Sequence, residues 1–201
     1  MQPPRRPGRP RDQRTDLAIM AAAFELFTEC GAGATSIEQV ARRARVTRAT
    51  VYRRFPDKTT LLARAIEWAD RVDNEDHQRP EWPDWPDLDR MLDDWADYLA
   101  RPRNRRMLRR LYGAVDDFPQ LLEAYREAHG HRRGEAVRAT LDRARAHGQL
   151  PEHGNTEVLL GLLNGAVLHH LGGYPDTSRR AEIKDYLTAV LREAGYRPGR
   201  A

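Results

Sequence analysis

Residues 35–58 read TSIEQVARRARVTRATVYRRFPDK, and two helix-start signals inside this stretch decide the fold. Ser36 is followed three residues on by Gln39, a capping box in which each side chain satisfies an orphan backbone N–H at a helix start. Ile37, Val40, Ala41 and Ala44 then recur on one side of that helix, the spacing of a buried face. After Arg45 and Val46, Thr47 is placed to cap a second, shorter helix, which carries Val51 and Phe55 on one face and ends at Pro56. Capped helix, tight turn, capped helix is the sequence form of a helix-turn-helix.

At about 100° per residue, Val51 and Phe55 point to the core while Ala49, Tyr52 and Arg53 point the other way, with Arg48 and Thr50 at the edges. That outer face is small, aromatic and cationic. It lets a backbone approach DNA, lets a phenol hydroxyl reach a phosphate, and offers guanidinium groups to phosphates or guanine edges. Lys58 opens the next helix and is expected to reach a phosphate as a point charge. Two packed helices of an ordinary bundle can carry the same caps; the charge distribution and the outward Tyr52 and Arg53 favour DNA.

Working outward, Ile19, Ala22, Ala23, Leu26 and Phe27 form the stripe of an amphipathic helix that starts near Asp12 and is stopped by Gly31. On the other side, Asp57 can cap a helix with Leu61, Leu62, Ala65, Ile66 and Ala69 on its apolar face. A Pro-rich segment, residues 77–88, reads as a loop. Helices are predicted beyond it at 88–100, 104–114, 119–147, 156–171 and 179–194. No run alternates with a strand's period, so the chain is read as all α, with about nine helices.

The 201 residues, 32% of them charged and 40% hydrophobic, fit one small DNA-binding unit and one helical domain. Residues 1–64 carry 13 Arg or Lys against 6 Asp or Glu, whereas the remainder carries 21 against 24, so the basic part is the one expected to meet a polyanion. Residues 158–168 form the longest apolar run and fall short of a membrane span, and no signal peptide is read, so a cytoplasmic protein is expected. Cys30 is the only cysteine, which excludes an intramolecular disulfide or a Cys-based zinc site.

The quoted stretch resembles the TetR family of bacterial transcriptional regulators, in its Tyr52-x-x-Phe55 core, in Lys58 and in the Leu61-Leu62 pair that follows. Residues 23–27 and Gly31 resemble that family's first helix. Arg45 stands where the family usually has a turn glycine, and Ala49 and Arg54 stand where glycine and histidine are common. The resemblance implies three regions: a basic arm at 1–11, a helix-turn-helix DNA-binding domain at 12–65, and a helical ligand-binding and dimerisation domain at 66–201. The expected DNA-binding residues are Ser36, Thr47, Arg48, Ala49, Thr50, Tyr52, Arg53, Arg54 and Lys58, joined by Arg9 of the arm. Pro7-Gly8-Arg9-Pro10, flanked by Arg5, Arg6 and Arg11, resembles an AT-hook core, which lies in a narrow A·T minor groove; a basic tail adding only nonspecific affinity is the equal alternative.

The helix at 156–171 is apolar nearly all round, so it needs partners on two sides. Gly161 and Gly165, four apart, permit close helix approach, either within the chain or across a dimer. With Leu168 on this helix, and Leu187, Val190 and Leu191 on the last one, they form the expected homodimer interface. Trp68, Trp95, Tyr98, Met107, Leu111, Tyr112, Phe118, Leu122, Tyr125 and Asn164 are the candidates for lining an effector pocket, against the alternative that each is plain core. His129 and His131 fall on different faces of their helix and His169 and His170 diverge by about 100°, so no metal site is expected. No nucleophile elbow, phosphate-binding loop or zinc-protease motif is present, and no cofactor is expected.

The resulting expectation is a homodimeric regulator, a repressor released from a palindromic DNA operator by a small-molecule effector. The competing readings are an architectural DNA-binding dimer without a ligand and, more distantly, a helical enzyme.

Overall fold

In a computed structural model, residues 13–75 and 84–198 are described, and among them the chain forms nine helices and no strand. They are α1 (Gln13–Ala34), α2 (Ile37–Arg43), α3 (Arg48–Tyr52), α4 (Lys58–Glu75), α5 (Leu88–Leu99), α6 (Pro102–Tyr112), α7 (Pro119–Ala146), α8 (Thr156–Gly173) and α9 (Arg180–Glu193). Each start has a local cause. Ser36, Thr47, Asp87 and Asn155 accept backbone N–H groups at the heads of α2, α3, α5 and α8, and Asp57 does so ahead of α4. Proline occupies the first position of α6 and α7, where its missing N–H costs nothing, so α6 begins two residues earlier than its apolar pattern indicates.

All five apolar residues expected on the first helix are buried, as are Val51, Phe55, Leu61, Leu62, Ala65, Ile66 and Ala69. α1 packs against α2, α4 and α6, α4 against α7, and α5 against α9, so one continuous core joins the helix-turn-helix to the helices behind it. α1, and not only residues 158–168, is an apolar stretch, long and apolar enough by length and composition to cross a membrane; half of it is buried inside the protein, as in a core helix. Gly31 leaves helical geometry at φ 82°, close to the expected stop, and one further turn follows it. The loop ahead of α5 is anchored: Trp85 is buried, its indole donates to Asp94 Oδ2 at 2.9 Å, and Arg143 donates to its carbonyl.

α2 ends in a Schellman motif, with Val46 N–H donating to the Ala41 carbonyl and Arg45 N–H to the Arg42 carbonyl. Arg45, the residue past the cap, takes φ 56°. The same device ends α7 and α9, where the left-handed residue is Gly148 or Gly195. Arg45 therefore carries a Cβ strain that the two glycines avoid. Arg45→Gly is expected to stabilise the protein by roughly 1 kcal/mol, a rise of about 2–4 °C in thermal midpoint for a chain of this size. Thermal unfolding by circular dichroism checks it; an unchanged or lower midpoint contradicts the strain.

α6 is tied to the end of α8 by a buried arginine. The Arg105 side chain is fully buried and donates to His170 Nδ1 at 2.9 Å, to the carbonyls of His170 and Tyr174 at 3.1 and 3.0 Å, and to Asp176 at 3.3 Å. Arg109 adds two short bonds to Asp176 and one to the Leu171 carbonyl. A guanidinium only donates, so His170 Nδ1 accepts and the imidazole is neutral. Its ring stacks on Tyr174 at 4.3 Å and meets Tyr186 at 5.2 Å. Burial first, then the charges of Arg105 and His169, push its pKa below the ordinary 6.5.

A depressed histidine makes the unfolded chain the better proton acceptor, so stability falls as pH drops below about 6.5. Asp176, held below its ordinary 3.8 chiefly by Arg109, loses its contribution only at more acid pH and does not offset this. Thermal midpoints measured from pH 7.5 to 5.5 are expected to decline. The slope flattens in His170→Asn, whose amide oxygen supplies an acceptor near Nδ1. An identical slope in the variant removes His170 as the cause.

Candidate nucleic-acid interface

The local geometry of residues 36–55 follows the sequence closely. Both halves of the capping box form: Ser36 accepts from Gln39 N–H at 3.2 Å and Gln39 Oε1 accepts from Ser36 N–H at 2.8 Å. Thr47 accepts from Thr50 N–H at 3.1 Å, and the two hydroxyls share a further bond of 2.9 Å. Val51 is fully buried and Phe55 nearly so, which pins α3 into the core beside α2. On its outer side Thr47, Arg48, Ala49, Tyr52 and Arg53 are exposed, Tyr52 to 49%. Ser36, at the head of α2, is exposed as well.

Several contacts around this face were not legible in sequence. Arg48 lies 3.9 Å from Glu38 of α2, and Arg53 donates to the Thr50 hydroxyl at 3.4 Å. Both cations keep exposed guanidinium groups and are steered by neighbours that hold them over α3. Thr50 is half-buried and engaged in the cap and with Arg53.

Two residues of the expected set are turned to other work. Arg54 donates through Nε to Asp16 of α1 and through Nη1 to the Thr50 carbonyl, and its side chain is only 13% exposed. It fastens the end of α3 to α1. Lys58 Nζ donates to the Ala32 carbonyl at 2.8 Å and to that of Gly33 at 3.4 Å, and sits 5.1 Å from the Phe118 ring. It caps the carbonyl end of α1, where the helix dipole favours a cation, and does not project outward. Their partners lie 38 and 26 residues away in sequence. Arg9 and the arm fall outside the described residues.

α1 also links this unit to the helices behind it. Arg43 of α2 makes a two-pronged contact with Glu29, both bonds 2.8 Å. That contact, with the charge of Arg106 behind it, holds the Glu29 carboxyl below its ordinary range. The Glu29 carbonyl accepts from Arg110 of α6 at 3.0 Å, and Arg103 of α6 lies 4.8 Å from the Phe24 ring. α6 thus grips the α1–α2 unit on one face and the α8–α9 connection, through Arg105 and Arg109, on the other.

The residues assigned to a pocket and an interface divide in the structure. Trp95, Met107, Leu111, Leu122 and Tyr125 are buried and Trp68, Tyr98, Tyr112 and Phe118 are half-buried. Asn164 is exposed on α8 and belongs with no interior group. On the same helix Gly161, Gly165 and Leu168 face outward beside Val158 and Leu162, whereas Leu159, Leu163, Ala166 and Leu171 face the core. Leu187 and Leu191 do not join the outward face: both are fully buried where α9 packs on α5, and Val190 is half-buried. An apolar stripe has two possible partners, and α9 spends its stripe inside the protomer. Among the described residues no group of three or more His, Cys, Asp or Glu can hold a metal ion.

Residues 19–65 match the bacterial regulatory proteins of the tetR family, and residues 85–193 match the Tetracyclin repressor-like C-terminal domain. An uncharacterized HTH-type transcriptional regulator of Bacillus subtilis, YdeS, is 29% identical over 190 residues, 92% of each chain. Among solved structures, Salmonella enterica GusR aligns at a TM-score of 0.68 with 21% identity, over 90% of this chain and 97% of that one. The Flavonoid-responsive Regulator FrrA aligns at 0.59 with 25% identity, over 90% and 95%. The buried Val51 and Phe55, the exposed Tyr52 and Arg53 and the helices behind them thus stand in known company: the chain belongs to the TetR family of bacterial transcriptional regulators, DNA-binding helix-turn-helix proteins that are not enzymes.

Proposed function

We propose that the chain works as a homodimeric repressor, with two copies of α3 entering successive major grooves of a palindromic operator and leaving when a small molecule binds behind them. The observation that carries the DNA contact is the two-sidedness of α3, buried through Val51 and open through Tyr52 and Arg53. Two such helices read half-sites about 34 Å apart, one turn of the duplex. The dimer rests on the outward stripe of Val158, Leu162 and Leu168, flanked by Gly161 and Gly165. Response to a small molecule draws support from the relative described as flavonoid-responsive and from the aromatic residues carried on α4, α5 and α7. The arm, with Arg9 inside its Pro7-Gly8-Arg9-Pro10 core, is assigned phosphate contacts beside the major-groove site. Such a regulator works in the cytoplasm, where its operator lies.

Tyr52→Ala and Arg53→Ala test the assignment. Each removes an exposed side chain and should leave thermal unfolding unchanged, while operator affinity falls by about 1–3 kcal/mol per contact. Gel shifts on a selected operator fragment measure it. Full affinity in both variants moves the DNA contact away from α3.

A further inference from the structure

We infer that the effector is an apolar molecule that presents accepting oxygen atoms to two indole N–H groups, those of Trp68 on α4 and Trp95 on α5. The inference rests on the effector reading above and names its chemistry. Both indole nitrogens are buried and neither has a hydrogen-bond partner among the described residues, although Trp95 is only 5% exposed. Buried donors are nearly always paired, because one left without an acceptor forfeits its hydration for nothing. Trp85 shows the ordinary arrangement in the same chain, donating to Asp94 Oδ2 at 2.9 Å.

The two donors belong to one region. Lys58 against the Phe118 ring sets the starts of α4 and α7 side by side, and the two helices pack along each other. Trp68 lies ten residues into α4, about 15 Å from that start. Trp95 lies under Arg133 of α7, whose guanidinium is 4.7 Å from its ring, about 22 Å along α7 from Phe118. Along the α4–α7 packing the two indoles therefore stand at levels about 7 Å apart, Trp68 on α4 and Trp95 on α5 beneath Arg133.

The chemistry of the ligand follows from what it meets. Ala65, one turn before Trp68, and Met91, Leu92 and Leu99, one turn to either side of Trp95, are buried and apolar. An indole nitrogen donates and never accepts, so the matching group is a carbonyl, phenolate, carboxylate or sulfonate oxygen.

Two dyes that share their rings test this: anilinonaphthalene sulfonate, and phenylnaphthylamine, which lacks the sulfonate. Indole N–H resonances of the isotope-labelled full chain, assigned with Trp68→Phe and Trp95→Phe, give the readout without reference to DNA. The sulfonate dye is expected to move the Trp68 and Trp95 indole protons downfield while Trp85 stays fixed, and the sulfonate-free dye to leave all three in place. Trp95→Phe should weaken the sulfonate dye about tenfold and the other dye less than twofold, the loss of one bond to a charged acceptor. The proposal is overturned if both indole protons are already as far downfield and as slow to exchange as that of Trp85, or if the two dyes shift them alike. Dye that moves both indoles yet leaves operator affinity unchanged supports the site and removes only the release step of the proposed function.

Discussion

Gly165→Leu is expected to yield folded monomers that hold their operator about 10² to 10⁴ times more weakly than the parent, because two linked half-site contacts become independent ones. The protomer itself has no reason to object. A Cβ built at Gly161 or Gly165 meets nothing within 4 Å, and both residues face outward. They lie beside Val158, Leu162 and Leu168, which are 58, 52 and 39% exposed. Side chains of this size on one helix face form the kind of apolar patch that monomers rarely leave in water. At the interface proposed above, a leucine forces the two copies apart, so the effect is expected on association and not on folding. Sedimentation gives the oligomeric state and thermal unfolding the control. A variant that sediments as a dimer with an unchanged midpoint places the interface elsewhere.

The largest loss of stability is expected from Arg105→Met. The substitution keeps the length of the side chain and removes the donors that serve His170 Nδ1, two backbone carbonyls and Asp176, all within a site closed to solvent on the arginine's side. Breaking one partner out of a buried charged cluster costs about 3–5 kcal/mol, since His170 Nδ1 is left with neither water nor a replacement and the His170 carbonyl loses a donor, while Asp176 keeps Arg109. For a chain of this size that is a fall of about 6–20 °C in thermal midpoint. Arg180→Ala provides the contrast. Arg180 pairs with Asp93 and Asp97 across the α5–α9 contact, but it is 47% exposed, so its loss should cost under about 1 kcal/mol. Equal midpoints for the two variants contradict the role given to burial here. Because α6 also holds α1 through Arg110 and Glu29, the Arg105 variant should lose operator affinity along with stability.

The local devices of this chain were legible in its sequence because their causes are local. Ser36 with Gln39, Thr47, Pro119 and the glycine that stops the first helix each act within four residues, and the structure has a helix boundary at or near every one. The inward and outward sides of α3 follow from the helical period alone, so Val51, Phe55, Tyr52 and Arg53 could be assigned before any tertiary contact was known. The positive φ of Arg45 falls where the TetR family usually has a turn glycine, as the resemblance implied.

Tertiary structure decided the partners of long side chains. Arginine and lysine reach several ångströms from their own helix, and their destination depends on which acceptor another element brings near. Arg54 found Asp16, Lys58 found the carbonyl end of α1, and Arg105 found the turn after α8, none of them a neighbour in sequence. The apolar stripes behaved alike. α8 reads as apolar nearly all round and α9 as a single stripe, and neither pattern names its partner: α9 buries Leu187 and Leu191 against α5, and α8 leaves Val158 and Leu162 in water. Periodicity states that a face must be covered; only the packing of the whole chain states whether the cover comes from the same molecule or from another.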